Sequence, residues 1–306
     1  MKVIESKEMT KMYGKTYALN GLTFEIEENK ITGIIGRNGA GKTTMLKIIA
    51  GFFKETSGEV RVFSEKPFNN LTVSANMIFI DDGMILPTSL SLKEILDEAE
   101  RFYENWDSSL ANRLFDYFSL SPDQYHSNLS KGMKSTFNMI LGLSAKCPLT
   151  IFDEPTTGMD AGVRHDFYRV MLKDYLAYPR TILLSSHHLE EIEDLLEDIL
   201  LIKDGRVHLH LPVADLKEWA IGLSGKKDLI NEWVKTKKVF HEKSIGHNNL
   251  YVVVKNDFTI RELENITLSG LDVFPVSSSD LCMYLTQKSK GGIDDVYNKA
   301  KSDKYS

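Results

Sequence analysis

An α/β chain with a mixed sheet core, an antiparallel β edge and a small second α+β domain is predicted by three observations. Short apolar runs alternate with longer helical patterns: ITGIIG before KTTMLKIIAGF, NMIFI before SLKEILDEAERFYENW, PLTIFDE before a polar helix, and TILLSS before HLEEIEDLLE. That alternation is the signature of a parallel sheet with crossover helices. KMYGKTYALNGLTFEIEEN and GEVRVFSEK read instead as antiparallel strands joined by Gly and Asn turns. After Pro212 the units become shorter and weaker, so residues 1–211 and 212–306 are expected to fold separately.

Within the first domain, DILLIKDGRVHLHL reads as a closing hairpin that turns at Asp204 and Gly205. The helical patterns over residues 83–146 form a subdomain of their own. In the second domain, WAIGLSG, a helix over LINEWVK, KVFHEKS, LYVVVKN, a short helix near Arg261 and LDVFPV follow in turn, and SSSDLCMYLTQ forms a tail helix. No repeat of fixed period and no low-complexity tract appears, which removes solenoid and disordered classes.

Composition narrows the function. The 306 residues are 42% apolar, enough for substantial cores, and the net charge of −6 argues against a nucleic-acid partner held by a general positive field. Cys147 and Cys282 stand without CxxC or Cys/His spacing, so neither a disulfide framework nor a zinc site is expected, and a reducing cytosol fits. The N-terminus has no signal-peptide core, and no run of about 18 apolar residues occurs. The chain is not expected to cross a membrane by itself.

The sharpest motif is GRNGAGKT at residues 36–43, directly after an apolar strand and directly before a helix. This is the phosphate-binding P-loop in its required context. Gly36, Gly39 and Gly41 let the backbone fold tightly, with Arg37, Asn38 and Ala40 between them, so that successive N–H groups point at phosphate oxygens. The helix that begins at Lys42, Thr43 and Thr44 adds its positive end. Lys42 is expected to reach the β- and γ-phosphates and the Thr43 hydroxyl to ligate Mg²⁺.

A second half-site appears in LTIFDEP, where a strand delivers two adjacent carboxylates at its C-terminal end. Side chains alternate along a strand, so the two acids take different roles. Asp153 is expected to hold Mg²⁺, and Glu154 to act as the base that orients or deprotonates attacking water.

The ordered set GRNGAGKTT, LSKGM, TIFDEPTTGMD and LLSSHHLEE resembles the ATP-binding subunits of ABC transporters over about the first 210 residues. The resemblance implies a P-loop NTPase of the ABC ATPase type that binds ATP and Mg²⁺ and hydrolyses ATP. It assigns His187 to the switch histidine that contacts the γ-phosphate, Asp160 to the loop that crosses between facing subunits, and Tyr13 to the aromatic stacked on adenine, with Tyr17 as its competitor. LSKGM corresponds to the motif usually written LSGGQ, in which Ser130 and Gly132 cap a helix aimed at the nucleotide of a second subunit. As bare sequence, Ser130 and Asp160 are equally good helix N-caps.

Three positions depart from that pattern. Lys131 replaces glycine and Met133 replaces glutamine, adding a charge and removing an amide. Where the family has a glutamine after the strand NMIFI, this chain has Asp81 and Asp82, either of which stands as its counterpart; Asp82 is assigned as a third metal ligand.

Each site so implied needs residues from two chains, and one chain carries one set. The resemblance therefore implies a head-to-tail pair of two copies, or of one copy and a homologous ATPase, closing on ATP and opening after hydrolysis. The tail helix is similar to that of bacterial ABC-2-type exporter subunits, whose transmembrane permease chains are separate. That places the protein at the cytoplasmic face of the cell membrane, with residues 83–107, including Tyr103 and Trp106, as the candidate docking segment. A different class, a soluble ATP-controlled dimer clamp acting on a non-transport target, is the alternative. It is disfavoured by the single cassette and by the lack of a coiled-coil insertion.

Overall fold

The computed structural model describes residues 1–287. Two compact units emerge, the first Met1–Asp215 and the second beginning at Leu216. Residues 288–306 of the expected second domain lie outside the described residues.

In the first unit, β1 (Lys2–Tyr13) and β2 (Thr16–Glu27) form an antiparallel hairpin that turns at Gly14 and Lys15. Leu22, Phe24 and Ile26 point inward while Thr23, Glu25 and Glu27 face water, the period-two pattern of a half-buried sheet. β3 (Ile31–Ile35) is buried throughout and leads into α1 (Lys42–Ile49). β4 (Ser57–Val62) then pairs antiparallel with β1, completing a three-stranded sheet ordered β2-β1-β4. After α2 (Leu71–Ala75), capped by the Asn70 side chain, comes β5 (Met77–Asp81).

Three helices follow. α3 (Leu92–Phe102) opens with a capping box in which Ser91 and Glu94 satisfy one another's backbone N–H groups. α4 (Ser108–Tyr117) starts at Asp107, and α5 (Lys131–Ser144) at Ser130. The rest of the unit alternates: β6 (Leu149–Asp153), α6 (Ala161–Ala177), β7 (Thr181–Ser186), the short α7 (Leu189–Ile192), β8 (Asp198–Lys203) and β9 (Arg206–Pro212). The acidic run after His188 thus folds into one helical turn and a 3-10 turn. Asp204 and Gly205, at φ 49° and 69°, make the tight turn between β8 and β9.

The main sheet has six strands in the order β5-β6-β7-β3-β8-β9, parallel except for β9. Of the antiparallel strands, β9 alone borders this sheet. β1, β2 and β4 carry one apolar face each, and this requires a layer of their own rather than a doubly covered place in the parallel sheet. One apolar cluster joins both sheets to α1: Leu22, Phe24 and Ile26 from β2, Leu46 and Ile49 from α1, Ile151 and Leu183 from the main sheet. The order β6-β7-β3 has a direct consequence for function. It brings the ends of three strands side by side, so the segments following Asp153, Ser186 and Ile35 meet.

The chain continues through α8 (Val213–Glu218), within which the division between the units falls. The second unit runs β10 (Ala220–Lys226), α9 (Lys227–Val234), β11 (Val239–Ile245), β12 (Asn249–Lys255), α10 (Ile260–Leu268) and β13 (Asp272–Pro275). Its sheet is antiparallel, ordered β11-β12-β10-β13, the split βαβ arrangement in which each helix bridges two strands over a third. Leu223, Val252, Val254, Ile230 and Ile266 form its core. α11 (Ser278–Thr286), capped by Ser277, buries Leu281, Cys282 and Leu285.

Leu183 sits fully buried on β7 at the centre of the main sheet. Leu183→Ala should cost about 2–5 kcal/mol in chemical denaturation, because a rigid sheet cannot close over the void.

Candidate functional site

The loop at residues 36–41 leaves β3 and turns into α1 at Gly41, whose φ of 106° belongs to glycine. A methyl group there would stand 2.6 Å from the Ala18 carbonyl oxygen, so the hairpin behind the loop holds it in shape. No side chain caps α1, which leaves the amides of its first turn for a ligand. A cleft of about 330 Å³ opens over the loop, lined by Ala18, residues 37–44 and Glu154.

Lys42 is buried, and its ammonium lies 2.7 Å from the Gly36 carbonyl oxygen and 3.2 Å from Glu154 Oε1. Glu154, one residue beyond β6, is a non-glycine residue at φ 50°, a strained conformation that turns its carboxylate toward the cleft. The other oxygen, Oε2, is 2.8 Å from His187 Nδ1, on the residue after β7. One carboxylate is thus gripped by the P-loop lysine on one side and by a histidine on the other.

Behind it, Asp153 accepts a hydrogen bond from the Ser185 hydroxyl at 2.5 Å, and the Thr43 hydroxyl also favours its charged form. Burial raises the Asp153 carboxyl above its ordinary range, opposed by those two hydroxyls. The Ser185 oxygen also accepts the Glu154 backbone N–H at 3.0 Å, so a single serine on β7 fixes both acids. Ser185 escaped the sequence reading, although it stands in the same LLSSHH run that carries His187.

The structure therefore gathers Lys42, Thr43, Asp153, Glu154 and His187 in one chain. Asp153 and His187 reach this group through Thr43 and Glu154 rather than by lining the cleft, and the other expected residues stand apart from it. Ser130 caps α5, its hydroxyl accepting the Met133 N–H at 3.3 Å, and Asp160 caps α6 by accepting from Val163 N–H at 2.9 Å. Tyr13 and Tyr17 are half-exposed on β1 and β2, with Lys11 above the Tyr13 ring. Asp82 does not join Thr43 and Asp153; its carboxylate pairs with Lys131 at 3.2 Å. The reason lies in the strand: Asp81 is the register partner of Asp153, and one residue further the chain has left β5.

The family model described as ABC transporter matches residues 19–157. The Nod factor export ATP-binding protein I of Paraburkholderia xenovorans is 30% identical over 209 residues, covering 66% of this chain and 68% of that protein. The chain belongs to the ABC transporter ATP-binding family. A further member, the ABC transporter ATP-binding protein YtrB of Bacillus subtilis, is 29% identical over 216 residues, 71% of this chain and 74% of its own. Among solved structures, one titled as the ATP binding subunit of an ABC transporter superposes with a TM-score of 0.63 at 26% identity, covering 70% of this chain and 92% of its own. As a member of the family, this ABC subunit is an ATP-binding protein and an ATP hydrolase. No helix among the described residues is long and apolar enough to cross a membrane.

The raised Asp153 carboxyl gives a signed expectation. Its proton is held more tightly folded than unfolded, so ionisation costs stability as pH rises above the ordinary aspartate value. Asp153→Asn should leave the melting temperature at neutral pH unchanged or higher. On the expectation that Asp153 holds Mg²⁺, the same variant should weaken Mg²⁺ binding by about 10-fold or more, and in the parent that affinity should fall as pH drops, read by titrating Mg²⁺ into the nucleotide-bound protein.

Proposed function

We propose that this chain powers a transporter, as an export subunit at the cytoplasmic face of the membrane, by closing two copies around ATP and reopening after hydrolysis. The observation that carries this reading is the Glu154 carboxylate, held between Lys42 at 3.2 Å and His187 at 2.8 Å at the mouth of the P-loop cleft. Relatives named for export, such as the Nod factor protein, support the direction of transport. Separate transmembrane permease chains are the partners this reading requires, and the second ATPase is a copy of this chain or a homologous one.

The P-loop amides and the first turn of α1 bind the phosphates. Lys42 then exchanges Glu154 for a phosphate oxygen, which frees the carboxylate to accept a proton from water attacking the γ-phosphorus. His187, hydrogen-bonded to that carboxylate, keeps it aimed and senses the γ-phosphate. The buried Asp153 carboxylate and the exposed Thr43 hydroxyl are oxygen ligands that suit Mg²⁺, which would neutralise phosphate charge there. Ser130 and Gly132, at the N-terminus of α5, would contact the nucleotide of a facing subunit. Closure is driven by contacts that exist with the γ-phosphate and vanish with ADP.

Glu154→Gln should cut ATP hydrolysis by about 10²–10⁴-fold while ATP binding persists. By light scattering it should be a dimer in Mg-ATP and a monomer in ADP, and adding Ser130→Arg should abolish the dimer. A Glu154→Gln chain that binds ATP yet stays monomeric with and without Ser130→Arg would rule out the homodimer.

A further inference from the structure

The two charged departures from the family pattern, Asp82 and Lys131, face each other. Asp82 follows β5, Lys131 is the first residue of α5, and their charged groups are 3.2 Å apart. We propose that this ion pair is a positioning device that fixes Ser130, the residue next to Lys131, in the orientation required by a facing copy's nucleotide. The inference rests on the dimer reading above.

The electrostatics of α5 explain why the pair is needed. A helix N-terminus carries partial positive charge, so a lysine in the first turn is unfavourable there, and α5 has no acidic residue in that turn to offset it. Asp82 supplies the missing negative charge from a separate segment. Its neighbour Asp81 turns the other way, to Lys47 of α1 at 3.1 Å. Asn138, on α5, donates to the Asp81 carbonyl oxygen at 3.4 Å. Consecutive aspartates therefore tie the end of β5 to two helices: α1, which carries the P-loop, and α5, which presents Ser130.

Packing sharpens the point. The Lys131 stem lies along Gly158, where an added methyl would come within 3.0 Å of Lys131 Cγ. From the neighbouring residue, a methyl on Gly132 would stand 2.5 Å from the Gly158 carbonyl oxygen. Ser135 Oγ donates to the Thr157 carbonyl at 2.8 Å. The first turns of α5 are thus seated against residues 157–158 along one side, and Asp82 draws the lysine head toward the other segment. With glycine at position 131 there would be no head group to draw. A change in the loop after β5 is transmitted to Ser130 through the lysine.

Both partners are about half-exposed, so the pair is worth a modest amount and the expected effects are correspondingly small. The test uses the full chain carrying Glu154→Gln, with Asp82→Lys, Lys131→Glu and the double charge swap, each confirmed folded by a cooperative thermal melt. The readout is the ATP concentration at half-dimerisation. Each single variant should raise it by about two- to fivefold, and the swap should return it to near the parental value. A glutamate in the first turn favours the helix by itself, so if Lys131 mattered only to helix stability, Lys131→Glu alone would tighten the dimer and overturn the proposal. A swap no better than the worse single variant overturns it too. If the Glu154→Gln parent does not dimerise in ATP, the dimer reading fails and this inference falls with it. A parent that dimerises beside an unrescued swap sinks the ion pair alone.

Discussion

The Glu154 carboxylate must be held by a cation and a histidine that arise on different strands, and the architecture follows from meeting that demand. A lysine ammonium and a carboxylate 3.2 Å apart, with the lysine buried, need further hydrogen-bond partners to offset desolvation. They have them: the Gly36 carbonyl oxygen on the lysine side and His187 on the acid side. The arrangement requires β3, β6 and β7 to lie adjacent with their C-terminal ends level, which the order β6-β7-β3 provides. All three strands are buried along their whole length, which holds that edge in place.

The same constraint accounts for the strain at Glu154. A residue continuing β6 in extended form would place its side chain by strand alternation, whereas φ 50° swings it into the cleft. Ser185 makes the conformation tolerable by accepting the Glu154 N–H while donating to Asp153. One hydroxyl thereby fixes the buried Asp153 carboxylate and the backbone of the partly buried Glu154 relative to each other. Lys42 and Glu154 form an ion pair at the cleft, so the proposed mechanism makes nucleotide binding an exchange of partners for the lysine.

The motif-bearing part of the chain was legible because each signal is local. GRNGAGKT, LTIFDEP and the apolar runs before them encode strand, loop and helix within a few residues, and the hairpin at Asp204 and Gly205 is written in its turn chemistry. What was not legible depends on register between distant segments. That β1, β2 and β4 form a layer of their own, joined to the main sheet through a shared apolar cluster with α1, depends on contacts between segments far apart in the chain. Asp81 and Asp82 look interchangeable in sequence, yet Asp81 lies opposite Asp153 in the sheet and pairs with Lys47, while Asp82 reaches Lys131. The N-cap roles of Ser130 and Asp160 follow from residue type, and the cap geometry agrees. A cap satisfies its own helix, however, and does not reveal what stands across from it.

The central claim is that the hydrolytic site is shared between two chains, Lys42 from one and Ser130 from the other. Trans-complementation tests it most directly: purify Lys42→Ala and Ser130→Arg separately, each inactive, then mix them at equal concentration and measure ATP hydrolysis. In a mixed pair one site has both defects and the other has neither. The account predicts that the mixture recovers measurable activity, with the quarter of wild type set by random pairing in a two-fold dimer as its ceiling. A mixture as inactive as its components would contradict it, and Ser130 would then belong to its own chain's site.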